Sequence, residues 1–224
     1  GEAGLPPAAQ SGAPAAEGTD SVGVHVGEKA ADGARVRAMG GSCLCIFDID
    51  RTLTGQQGLG APQCPGNTAE QGVWDDAYGG GDLTLSPLGH AGVRSTACGA
   101  CLIGVVSHGL AGGDAMKGYV RRILGGDVPG EFSWHTDIQS PLVLGCGNKP
   151  PCVRAVMGWY NAHGAGLAPE DVYLFDDKTP NVHAFWSTGF NAIQVSCAAR
   201  AGEIGLCGGS PSEVRLERGV HPCP

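Results

Sequence analysis

From residue 43 onward the chain alternates short, unbroken apolar runs with amphipathic stretches, and each apolar run stops at polar residues. Strands buried on both faces of a parallel sheet read this way, whereas a sheet with one wet face alternates. The runs at 43–47, 102–106, 172–175 and 191–195 are predicted strands, and 131–135 is a further one. Helices are predicted between them. Ser86 followed by Pro87 opens one, because serine caps and proline fits the first turn. A second spans 114–124 and ends at Gly125 and Gly126; 151–163, ended by Gly164, and 179–187 complete the set. Strand and helix in alternation predict an α/β fold, a three-layer Rossmann-like sandwich around a mainly parallel five-stranded sheet.

Outside this block the pattern fades. Residues 1–20 are rich in Ala, Gly and Pro and read as a flexible arm, and 21–42 form an N-terminal extension with a short helix expected over 28–39. The domain itself is expected over 43–200, followed by a cysteine-containing tail at 201–224. No internal repeat is present in the sequence.

The first strand delivers two carboxylates, Asp48 and Asp50, to its polar end. Folds of this class bind ligands outside the carboxyl ends of their strands. Two acids that close raise one another's pKa, so the pair calls for a bound cation or for one member that keeps its proton. Asp-x-Asp alone also caps helices and lines turns. Three further pieces change its weight: 102–106 runs into Ser107 and His108, Gly147-Asn148-Lys149-Pro150-Pro151 sets a lone lysine at a helix start, and 172–175 runs into Asp176 and Asp177. These pieces, in this order after Asp48-Ile49-Asp50-Arg51-Thr52, resemble the haloacid dehalogenase superfamily of phosphohydrolases, of the capless or minimal-cap type. The resemblance covers Cys43 to about Val195.

It implies a Mg²⁺-dependent phosphatase that hydrolyses a phosphate monoester through an aspartyl phosphate. The residue types suit that chemistry independently. A phosphate ester is a multiply charged, poor electrophile, so a site must neutralise it and supply an in-line nucleophile. Asp48 can attack phosphorus, and Asp50 can protonate the leaving oxygen and then deprotonate water. Ser107, Thr52 and Lys149 offer donors to the phosphoryl oxygens. His108 either reaches the substrate or is structural. Asp176 and Asp177 complete an oxygen cage for Mg²⁺, with either as the direct ligand. By the resemblance, Asp48 and the backbone carbonyl of Asp50 join that cage. The second aspartate also argues against carbon–halogen chemistry, which needs no leaving-group proton.

One departure is Arg51, where many relatives carry glycine. It reads either as a contact for a second anion on the substrate or as a solvent-facing partner of a local carboxylate. Neither 54–86 nor 109–149 is expected to hold a separate cap domain, so the site is open; 56–83 reads as a partial lid or as a plain surface loop. An open site suits small or macromolecular phosphorylated substrates, or a neighbouring subunit of a homo-oligomer that completes it. Other classes remain: a catalytically weak phosphate-binding or regulatory domain, or a phosphotransferase or phosphonate hydrolase of the same superfamily.

Composition narrows the partners. A net charge of −8 with only four lysines argues against nucleic acid, which selects basic surfaces. No apolar run reaches membrane-spanning length and none has the pattern of a secretory leader, so a soluble chain is expected. Ten cysteines, an even number, do not have zinc-site spacing, and Cys98-x-x-Cys101 leads into a strand rather than a helix. They read as structural disulfides in an oxidising compartment, the alternative being free thiols that pack as small hydrophobes. If Asp48 and Ser107 mark aligned ends of adjacent strands, Cys43 can bond Cys98 or Cys101. Cys146 and Cys152 can close a short loop around Lys149.

Overall fold

The structure, a computed structural model, describes residues 42–224. The expected arm, the helix over 28–39 and nearly all of the N-terminal extension lie outside the described residues. Strands β1 (Leu44–Phe47), β4 (Leu102–Val106), β5 (Ser133–Trp134), β6 (Leu142–Leu144), β7 (Val172–Asp176), β8 (Asn191–Gln194) and β11 (Val220–His221) form one sheet. Its order is β11-β8-β7-β1-β4-β6-β5, and every neighbouring pair is parallel. The α/β sandwich is as expected, but the sheet has seven strands rather than five. The additions are the short β6, followed by Gly145, and β11, which extends the edge from the C-terminal residues. The strand expected over 131–135 shrinks to Ser133–Trp134 at the other edge.

Side-chain alternation along β1 explains the two cores. Cys45 and Phe47 face one layer, with Met116, Val120 and Leu124 of α2 (Asp114–Leu124). Leu44 and Ile46 face the other, with Val153, Val156 and Tyr160 of α3 (Lys149–Ala162) and Val182 of α4 (Thr179–His183). Gly104 in β4 permits the close approach on that side: a Cβ there would lie 3.1 Å from both the Pro141 carbonyl and a Val156 methyl. The helix over 114–124 has the expected bounds, and Gly125 ends it with φ of 105°. Ser86 caps the short α1 (Pro87–Ala91) by accepting from the Gly89 N–H at 3.0 Å.

No separate domain interrupts the described fold. Between β1 and α1 the chain makes a loop and an antiparallel hairpin, β2 (Thr68–Asp75) and β3 (Gly81–Leu85). Five disulfides take all ten cysteines. Cys43–Cys101 and Cys146–Cys152 are among the expected pairings, and Cys45–Cys98 lies beside the first. The parallel register of Leu44 with Leu102 sets Cys43 beside Cys101. Cys64–Cys207 ties the loop before the hairpin to the C-terminal region, and Cys197–Cys223 ties that region to the end of β8. Among the described residues no helix is long and apolar enough to cross a membrane. A small hairpin of β9 (Arg200–Ala201) and β10 (Ile204–Gly205) lies beyond β8.

Candidate active site

Register puts the carboxylates together. Phe47 pairs with Val105 on one side and Phe175 on the other, so β1, β4 and β7 end level. The Asp48 N–H donates to the Phe175 carbonyl at 2.9 Å, which fixes the backbone at the strand exit. As a result Asp48, Asp176 and Asp177, all buried, bring carboxylate oxygens within 4.8 Å of one another. This is where the chain crosses from one half of the sheet to the other, the usual ligand crevice of such folds.

Lys149 lies at the floor of the crevice. Its ammonium is 3.0 Å from Asp48 Oδ1 and 3.6 Å from Asp176 Oδ2, and it donates to the Val106 carbonyl. Burial pulls the ammonium pKa down, but Asp48 and Asp176 outweigh that and hold it above its ordinary value. Asp176 is secured by Asn181, which donates to both of its oxygens at 3.0 Å, and by the Lys178 N–H at 2.8 Å. Asp177 Oδ2 accepts from the Gly205 N–H at 3.0 Å, while its Oδ1 is buried without a hydrogen-bond partner. Burial first, and then neighbouring carboxylates, push Asp176 up to about 6 and Asp177 up to about 8. Three buried hard oxygen donors, one with an orphaned atom and two resisting ionisation, fit a divalent cation such as Mg²⁺.

The turn after β1 separates the two aspartates. Asp48 Oδ1 accepts from the Ile49 N–H at 2.8 Å, and both the N–H and the hydroxyl of Thr54 close back on the Ile49 carbonyl. The Asp50 carboxylate is therefore outside the trio, facing Gly109: a Cβ on Gly109 would lie 2.9 Å from Asp50 Oδ2. Burial, then Asp48 and Asp75, push Asp50 up to about 7, so near neutrality it can hold a proton. Its backbone carbonyl as a metal contact remains an expectation from the resemblance.

Ser107 follows β4 by one residue, and its Oγ is buried without a hydrogen-bond partner, as is Thr52 Oγ1. Both hydroxyls are thus unspent in the folded chain. Thr52 also has a structural role, its carbonyl accepting from the Gly209 N–H at 2.7 Å. His108 is exposed and its ring lies against Gly147 rather than among the carboxylates.

A scan against protein-family models and a search of curated proteins each give no match. Among solved structures, the chain is similar to the crystal structure of a probable YrbI family phosphatase from Pseudomonas syringae pv. phaseolica 1448a. Identity is 16%, over 80% of this chain and 85% of that one, with a TM-score of 0.42. So distant a likeness leaves the function to be argued from the residues themselves.

Several residues around the crevice have no signature of their own in the sequence. Tyr78, in the turn between β2 and β3, lies under the Arg51 guanidinium with 3.6 Å between Cζ and the ring centroid. Lys178 Nζ is 5.3 Å from the same centroid. Asp75 is buried at the end of β2, close enough to Asp50 to raise its pKa. Tyr78 and Asp75 come from a Gly-rich hairpin whose outward-facing residues carry no periodic signal, so only the folded chain brings them to the site, whereas Lys178 directly follows Asp176 and Asp177. Arg51 itself has φ of 60°, in the left-handed region that favours glycine. An arginine there costs on the order of 1–2 kcal/mol of backbone energy.

Proposed function

We propose that the protein is a Mg²⁺-dependent phosphatase of the haloacid dehalogenase type, which hydrolyses a phosphate monoester through an aspartyl phosphate on Asp48. The observation that carries this is the convergence of Asp48, Asp176 and Asp177 within 4.8 Å around a lysine 3.0 Å from Asp48. A structural core has no use for so many buried charges, since burying them is costly unless they are paired or serve a ligand.

One Asp48 carboxylate oxygen attacks phosphorus as the bond to the leaving oxygen breaks, while Lys149 keeps the nucleophile ionised and neutralises the arriving dianion. Ser107 and Thr52, whose hydroxyls are buried and unpartnered, donate to phosphoryl oxygens. Asp50, protonated near neutrality, gives its proton to the leaving oxygen and afterwards takes one from water attacking the phosphorus. When bound, Mg²⁺ would be held by Asp48, Asp176 and Asp177 and would offset charge on the transferred group. Two orphaned hydroxyls, a proton-bearing Asp50 and an intact nucleophile favour catalysis over a purely recognitional role. The five disulfides, which use every cysteine, support an oxidising compartment.

The test is hydrolysis of p-nitrophenyl phosphate with Mg²⁺ and with excess chelator. Turnover that depends on Mg²⁺ is expected, with Ca²⁺ inhibitory because its looser coordination misplaces the nucleophile. A protein that binds phosphate but shows no metal-dependent turnover would be a binding domain instead.

A further inference from the structure

We propose that Arg51 and Lys178, braced by Tyr78, form a second anion subsite at the mouth of the crevice, so that the preferred substrate is a phosphate monoester bearing another anionic group. This rests on the phosphatase reading for its first anion, the transferred phosphoryl group. That group is already served by Lys149, Ser107 and Thr52, which leaves the two outer cations surplus to it.

Arg51 is 7% exposed and its Nε is buried without a hydrogen-bond partner. Among the described residues neither Arg51 nor Lys178 forms an ion pair with a carboxylate. What holds them is aromatic: the guanidinium lies 3.6 Å from the Tyr78 ring centroid, and the Lys178 ammonium is 5.3 Å from it. Both feel the charge of Asp177, and Lys178 also that of Asp48 and Asp50, yet none of these carboxylates lies within ion-pair distance of either cation, and Asp177 belongs to the carboxylate trio. Two cations gathered on one ring repel each other, and an anion between them relieves that repulsion. The left-handed backbone at Arg51 points the same way, because a strained, non-glycine position persists where its side chain is used. Guanidinium and ammonium both suit an oxyanion, so a carboxylate or a second phosphate fits.

The experiment compares p-nitrophenyl phosphate with its ring-carboxylated counterpart, and a linear alkyl phosphate with the matching terminal bisphosphate, in the wild type, Arg51→Met and Lys178→Met. The wild type is expected to favour the doubly anionic member of at least one pair by about 10-fold or more in kcat/KM, as one charged hydrogen bond would give. Which pair responds tells carboxylate from phosphate. Each variant should collapse that preference, mainly through KM. Lys178 is half-buried and tolerates the change, so it keeps the test alive if Arg51→Met fails to fold. An unchanged preference, or an equal loss on both members of a pair, would overturn the subsite. If the wild type turns over no ester, the phosphatase reading falls and the subsite is read by calorimetry. Tighter binding of propane-1,3-bisphosphonate than of propylphosphonate, lost in Lys178→Met, would then uphold it, and equal affinities would overturn it.

Discussion

The floor of the crevice and its mouth handle positive charge in opposite ways. On the floor, the Lys149 side chain is 1% exposed and has Asp48, Asp176 and the Val106 carbonyl around it. At the mouth, Arg51 and Lys178 lean on the ring of a half-exposed tyrosine and pair with no carboxylate among the described residues. A buried charge whose partner is removed is expensive, while a cation with no ion partner, such as half-buried Lys178, leaves no carboxylate stranded when it is removed. The floor therefore couples chemistry to folding, and the mouth is free to be tuned for recognition.

Removing floor charges gives the largest effects. Asp48→Asn deletes the proposed nucleophile and should lower turnover by at least ~10³-fold while abolishing trapping of a phosphoenzyme or beryllofluoride adduct. Lys149→Met strands Asp48 and Asp176 in the interior and should cost about 3–5 kcal/mol in urea unfolding along with the activity. Lys178→Met at the mouth should leave the unfolding midpoint nearly where it was. Equal destabilisation by the two lysine variants would erase the contrast between floor and mouth.

The floor was far easier to read from the sequence than the mouth. Asp48, Ser107, Lys149, Asp176 and Asp177 each sit next to a continuous apolar strand or a helix start, so pattern alone puts them at one edge of a sheet. The helix over 114–124 was legible for a similar reason, with acidic Asp114 in its first turn and paired glycines at its end. By contrast β6 is only three residues long, too short for any periodicity, and β2 is mostly exposed. Tyr78 and Asp75 reach the site through a hairpin whose placement depends on long-range contacts, Cys64–Cys207 among them. Arg51 stands out in the sequence as a departure, but its aromatic partner lies on another element.

Asp50 sharpens the comparison by standing between the two regions. On the proposed mechanism Asp50→Asn keeps the nucleophile and removes only the proton carrier, so an unactivated alkyl phosphate should lose about 10²–10⁴-fold. The first step with p-nitrophenyl phosphate, whose leaving group needs little help, should lose much less. Rapid-quench measurement of phosphoenzyme formation separates the two, and equal losses would remove Asp50 from the acid role.

A smaller effect follows from the raised carboxylates. In the folded chain Asp50, Asp176 and Asp177 keep protons up to about 7, 6 and 8, against an ordinary 3.8. Between these limits the folded state binds more protons than the unfolded one, so stability falls as pH rises. Their contribution is fully present below the unfolded value and is lost as pH passes through the folded values. The melting temperature in chelator should therefore drop between about pH 5 and pH 8, and Mg²⁺, which favours the ionised trio, should flatten that slope. A melting temperature that climbs over this range in chelator would contradict the raised values.

The smallest expected change in turnover comes from the disulfide beneath the floor. Cys146–Cys152 spans six positions and brackets Lys149, whose helix begins within that loop. Replacing both cysteines with serine releases a short closed loop, which chain entropy values at about 2 kcal/mol. Lys149 is still held by Asp48, Asp176 and the Val106 carbonyl, so the ammonium should stay in place and kcat should fall only a few-fold. Urea unfolding and steady-state kinetics on the double variant check the two halves of this expectation. A collapse of activity as deep as that of Lys149→Met would mean that the loop closure, rather than the ion pairs, is what positions the floor lysine.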